Sequence, residues 1–183
     1  MKRKLLFVSV LALLLLGAAG TAAYFSAEAR AENFITSGRV TIALREWADE
    51  AREQPYEDVT GVMPGAEVTK IAVVENTGSA PAWVRVKLTR RVTGADGAAL
   101  GAEAVGIELG SRGWVDGQDG YYYYDRVLAP GETTEPVLTA VMFAAAMDNS
   151  YQGAKASVDV QAFAVQTANN GASAREAAGW PEA

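Results

Sequence analysis

The residues of this chain best suited to chemistry are carboxylates and tyrosines, because histidine and cysteine are both absent. Neighbouring carboxylates occur at Asp49 and Glu50, at Glu57 and Asp58, and at Asp116 and Asp119. Acidic loops of this kind are usually solvated surface. Asp116 and Asp119 offer oxygen ligands of the type calcium takes, but not at the spacing of an EF-hand. A zinc hydrolase normally uses histidine ligands, and no HExxH motif can be written without them. A serine nucleophile would lack both a GxSxG elbow and an imidazole base. These absences argue against an enzyme, and nothing in the sequence asks for a metal or cofactor.

The most distinctive aromatic stretch is GYYYYDRVLAPGE, from Gly120 to Glu132. On a strand, Tyr121 and Tyr123 share one face while Tyr122 and Tyr124 share the other. One pair then packs in a core and the other covers a rim. Alternatively, Tyr122 and Tyr124 beside Trp114 form an exposed platform for sugar rings or a neighbouring subunit. A second stripe, Arg85, Lys87, Arg90 and Arg91 with Trp83, reads as a solvated sheet face or as a receiver for an acidic loop from another copy.

The elements that would position these residues are short strands. Val40, Ile42 and Leu44 alternate with Thr41, Ala43 and Arg45, the period of a half-buried strand. The polar EWADEAREQPYEDVT follows as a loop with a helical turn. Pro64-Gly65 suits the centre of a type II turn, because proline presets φ and glycine accepts the positive φ that follows. A strand from about Val68 to Val74 comes next, then turn residues Asn76 to Ser79. Beyond them Val84, Val86 and Leu88 face opposite to Trp83, Arg85, Lys87 and Thr89.

Pro130-Gly131 repeats the Pro64-Gly65 turn, and each feeds an apolar run, as at equivalent corners of a sandwich. AALGAEAVGIEL is ambiguous between strand and helix. Asp116 to Gly120 is a turn that makes GWV and YYYYDRVL a hairpin. EPVLTAVMF and KASVDVQAFAVQT are further strands, while ASAREAAGWPEA is one helical turn or disordered. With at least seven short strands and no long apolar helix, the economical fold is all-β, an antiparallel β-sandwich.

The chain opens with Lys2, Arg3 and Lys4, an apolar run from Leu5 to Leu16, and then small residues. That order is a secretory signal. Twelve helical residues reach roughly 18 Å, short of the ~30 Å hydrocarbon layer a spanning anchor must cross. Thr21-Ala22-Ala23 places the cut between Ala23 and Tyr24, leaving 160 of the 183 residues, enough for one domain. Losing three of the 16 basic residues leaves 13 against 22 acidic ones, a net charge of −9. Nucleic acid and anionic lipid are poor partners for such a chain. Without cysteine, its stability rests on burial or on other chains.

Three stretches together, GTAAYFSAEARAENFITSGRVTIAL, PGAEVTKIAVVENTGSAPAWVRVKL and NSYQGAKASVDVQAFAVQ, resemble the TasA and camelysin family of secreted surface and biofilm-matrix proteins. DGYYYYDRVLAPGETT is similar to a segment of many members, and the likeness runs from the leader to about Gln166. It implies a jelly-roll β-sandwich, exported, trimmed by a dedicated signal peptidase and, in several members, polymerised into extracellular fibres at the cell envelope or in a matrix. In such fibres the start of the mature chain adds a strand to the next subunit, and a minor companion can start assembly.

The donor segment would be residues 24–36, with Tyr24, Phe25, Phe34 and Ile35 at the self-assembly interface. A jelly roll over 37–167 and a tail over 168–183 complete the layout. Ser26 to Asn33 is rich in alanine and charge, a composition that favours a helix. Two other readings stand beside the fibre subunit: a monomeric adhesive module at the cell surface, and a metallopeptidase of camelysin type, against which the absent histidine weighs.

Overall fold

The computed structural model describes residues 26–28, 31–32, 40–59 and 61–181. Two sheets, antiparallel apart from the pairing of the first two strands, make up the protein, with only two single-turn 3-10 helices among the described residues. The leader over 1–23, the cleavage pair Ala23 and Tyr24, and Phe25, Phe34 and Ile35 lie outside the described residues.

In chain order the strands are β1 (Ser26–Glu28), β2 (Ala31–Glu32), β3 (Ile42–Trp47), β4 (Glu67–Asn76), β5 (Ala82–Thr93), β6 (Ala99–Leu100), β7 (Val105–Leu109), β8 (Trp114–Asp116), β9 (Tyr122–Tyr124), β10 (Leu138–Phe143) and β11 (Lys155–Gln166). One sheet runs β1-β11-β5-β9-β8, with β2 also beside β11 and β6 beside β5. The other runs β3-β4-β10-β7. The long antiparallel ladder of β5 with β11, from Ala82↔Gln166 to Thr93↔Lys155, is the spine of the first sheet.

The alternation read from the sequence decides which side chains meet between the sheets. Val84 and Val86 of β5, and Val158, Val160, Ala162 and Ala164 of β11, are buried in one apolar cluster with Ile42, Leu44, Ala72, Val74, Val141 and Phe143 of the other sheet. The ambiguous AALGAEAVGIEL resolves into β6, a 3-10 turn over Ala102–Ala104, and β7. In β10 the register shifts between Leu138 and Ala140, so Leu138, Ala140, Val141 and Phe143 are all buried. A bulge of this kind breaks strict alternation.

Both proline-glycine turns have the same geometry. Ala66 N–H donates to Met63 O at 3.0 Å across Pro64-Gly65, and Glu132 N–H donates to Ala129 O at 3.0 Å across Pro130-Gly131. Gly65 has φ +78° and Gly131 +79°, the left-handed value a type II turn needs at that position. After the second turn the chain runs back along β4, where Thr134 N–H donates to Val74 O at 2.9 Å and Thr134 Oγ1 accepts from Val74 N–H at 3.0 Å.

The start of the chain corrects two expectations. Ser26–Glu28 and Ala31–Glu32 are strands rather than a helix, and they lie parallel, not antiparallel, to β11. Intrinsic propensity is a weak prior, overridden when an open ladder edge supplies backbone partners.

Candidate functional site

The tyrosine hairpin is set by its turn. Gly117 N–H donates to Tyr121 O at 2.8 Å, Asp116 Oδ1 accepts from Gln118 N–H at 2.8 Å, and Asp119 Oδ1 accepts from Tyr121 N–H at 3.1 Å. Asp119 also takes the Tyr123 hydroxyl at 2.7 Å, and this bond holds its carboxyl below the usual range. Both carboxylates are thus occupied in shaping the turn. Among the described residues no group of three or more acidic side chains is arranged to hold a metal ion.

From this turn β8 pairs with β9 as Trp114↔Tyr124 and Asp116↔Tyr122. Trp114, Tyr122 and Tyr124 therefore face inward against the apolar core, and Tyr124 is fully buried. As for the alternative of an exposed platform at these three residues, Tyr124 is buried and Trp114 and Tyr122 are half-buried against the core, on the inner side of the hairpin. Trp114 and Tyr124 lie 5.1 Å apart at ring centroids, and Trp114 Nε1 donates to Glu135 O at 2.9 Å. The Tyr124 hydroxyl donates to the Glu135 carboxylate, which also binds Arg126. Burial first, and then that carboxylate, pushes the Tyr124 hydroxyl up to about 12.

The outer face of the hairpin carries the other pair. Tyr123 is buried and Tyr121 half-buried in a second apolar cluster with Trp83, Val165, Ala174, Ala177 and Trp180. The tail thus forms one helical turn, with Ala177 N–H donating to Ser173 O at 3.1 Å, and docks on the sheet. Trp83 Nε1 donates to Gly171 O at 3.1 Å, and Asn170 clasps the turn through Nδ2 to Ala178 O at 3.1 Å and Oδ1 from Ala178 N–H at 2.8 Å. The signal that could have placed this tail is Trp180 followed by proline, a large apolar side chain in an otherwise polar segment.

The basic stripe is largely spoken for within the chain. Arg85 lies 3.8 Å over the Tyr121 ring, 4.7 Å from Trp180 and 5.4 Å from Phe163. Arg91 pairs with Asp159 at 2.8 Å, and Arg90 Nη1 donates to Val105 O at 2.9 Å. Of the acidic pairs, Asp49 caps its own loop, accepting from Glu53 N–H at 3.1 Å and Gln54 N–H at 2.7 Å.

What remains is the sheet edge along β11. One side of β11 is paired throughout with β5, and the other holds the N-terminal arm in parallel register, Ser26↔Lys155 to Glu28↔Ser157 and then Ala31↔Val160 to Glu32↔Gln161. The arm also reaches β3, the edge of the opposite sheet, through β2. It therefore lies along the free edge of β11 and beside β3 of the other sheet. No protein-family model, curated protein or solved structure matches the chain.

Proposed function

We propose that this chain is an exported structural subunit of extracellular fibres or of a biofilm matrix, a jelly-roll β-sandwich that passes its N-terminal arm to the next subunit. The observation that carries the reading is the parallel seating of Ser26–Glu28 and Ala31–Glu32 on the β11 edge. Among the described residues, five of the arm pair with β11, whose other side carries the twelve-residue ladder with β5. A sheet edge closed by an N-terminal arm is a place for β-augmentation, in which main-chain bonds give affinity and side-chain pockets set register. Each copy donating to the next is a heterologous contact, and contacts that do not close into a ring give open filaments.

In this reading the donor segment is 24–36, anchored by Tyr24, Phe25, Phe34 and Ile35. A dedicated signal peptidase frees it by cutting between Ala23 and Tyr24. The partners are further copies, a minor companion that starts assembly, and the cell envelope or matrix. No catalytic role is assigned, and the net −9 of the mature chain disfavours nucleic acid.

The test compares the mature chain starting at Tyr24 with one starting at residue 37, both concentrated and imaged by electron microscopy. Filaments are expected from the first and none from the second. Filaments of unchanged form from the shortened chain would reject the proposal.

A further inference from the structure

Lys70 is among the largest fully buried side chains, although it carries an amine. It belongs to β4 in the register of Val68, Ala72 and Val74, so the alternation that fills the core also turns Lys70 inward. Glu46 of β3 faces it: Lys70 Nζ and Glu46 Oε1 are 2.7 Å apart, with the side chains 1% and 10% exposed. The Tyr56 ring covers the amine at 4.0 Å from its centroid.

Despite the short separation, the approach is off the axis of a hydrogen bond. Neither Nζ nor Oε1 has a directional partner among the described residues, and the buried Tyr56 hydroxyl lacks one too. An ion pair so placed gives up its hydration while satisfying few of its donors and acceptors, the arrangement in which a buried pair is least favourable. Burial pushes the Lys70 ammonium below its ordinary value, against the opposing attraction of Glu46, Asp58 and Asp159. A neutral amine beside a protonated carboxyl follows from moving one proton across the contact. Those are the two reactants of an amide.

We propose that Lys70 and Glu46 join in an intramolecular isopeptide bond between β3 and β4. The Nζ lone pair attacks Glu46 Cδ, the carbon loses its hydroxyl, and the nitrogen loses a proton, so one C–N bond forms, one C–O bond breaks and one water leaves. No electrons change hands and no co-reactant is needed. The Tyr56 hydroxyl, pushed up to about 12 by burial and then by Asp58 and Glu46, stays protonated beside this contact. Condensation replaces two buried charges with one neutral amide, which removes the desolvation cost that otherwise disfavours the contact.

The experiment is the intact mass of the purified chain under denaturing conditions, followed by fragment mapping. The expected mass lies one water below that of the sequence, with a branched peptide joining Lys70 to Glu46. A mass equal to that of the sequence overturns the proposal. So does a water loss that maps to an Asp-Gly step such as Asp96-Gly97, where ring closure onto the backbone gives the same mass change. Lys70→Arg should restore the lost water whether or not the variant folds well, and a variant that still lacks it overturns the assignment. Glu46→Gln provides a second reading, because the same attack then expels ammonia and gives the same branched peptide.

Discussion

The ring of Trp180 lies 4.7 Å from the guanidinium of Arg85, and the carbonyl of the next residue, Pro181, accepts from Arg85 Nη2 at 3.2 Å. With Tyr121 3.8 Å from the same guanidinium, the cation is stacked between the residue that precedes β9 and the tail. This makes the tail part of the fold rather than an appendage.

Trp180→Ala should therefore lower stability by about 2 kcal/mol, since it removes a partly desolvated cation–π contact and apolar cover over Tyr123. That corresponds to a fall in Tm of roughly 4–8 °C for a chain of this size. Thermal denaturation followed by circular dichroism measures it. An unchanged Tm would mean that the tail rests on the sheet without holding it.

Asn76 is wholly buried and ties two loops together. Its Nδ2 donates to Ala80 O and Leu128 O, each at 2.9 Å, and its Oδ1 accepts from Gly78 N–H at 3.0 Å. Asn76→Ala leaves those groups without partners, at about 1–3 kcal/mol for each one left buried. A total loss of about 3 kcal/mol is expected in urea unfolding, seen as a lower midpoint at an unchanged slope.

Alkaline pH should unfold the protein through its buried phenols. Tyr56 and Tyr124 are raised from 10.0 to about 12 by burial first, then by neighbouring carboxylates. A raised folded value means that the neutral phenol is favoured in the fold, so this stabilisation is complete below pH 10 and lost as pH climbs from 10 towards 12. Absorbance titration of the phenolates should show late groups, Tyr56 and Tyr124 among them and Tyr123 also raised by burial and by Asp119, and Tyr124→Phe should remove one. Tyrosines that all ionise near pH 10 with the fold intact would contradict the burial.

Ala27 and Ala156 are register partners of β1 and β11, in a chain without cysteine. Ala27→Cys with Ala156→Cys should oxidise to a disulfide that locks the arm on its own strand. The fibre reading predicts no filaments from oxidised monomer and their return on reduction. Filaments that grow equally well from the locked monomer would remove the arm from the assembly mechanism.

Alternation carried most of the fold. Val84, Val86, Val158 and Val160 are buried where period two put them, and both proline-glycine turns adopt the expected geometry. The sorting of the four tyrosines into an inner and an outer pair was likewise legible, but not the fate of each pair. Trp114, Tyr122 and Tyr124 turn inward because β8 and β9 lie on the sheet face that meets the core, and that choice depends on pairing across the chain. The tail was open between a helical turn and disorder, because its partners Trp83 and Arg85 are distant in sequence. Lys70 was missed although its even-numbered place among Val68, Ala72 and Val74 already pointed it inward.

In sequence, β2 ends at Glu32 and β3 begins at Ile42, so the arm and β3 belong to one short stretch of the same chain. Covalent connection over a short stretch generally gives an effective concentration on the order of millimolar for an arm beside its own strand. Any rival arm competes against that value, so the molecule is self-capped when dilute. In the fibre reading, crowding copies together is what would tip the arm towards a neighbour.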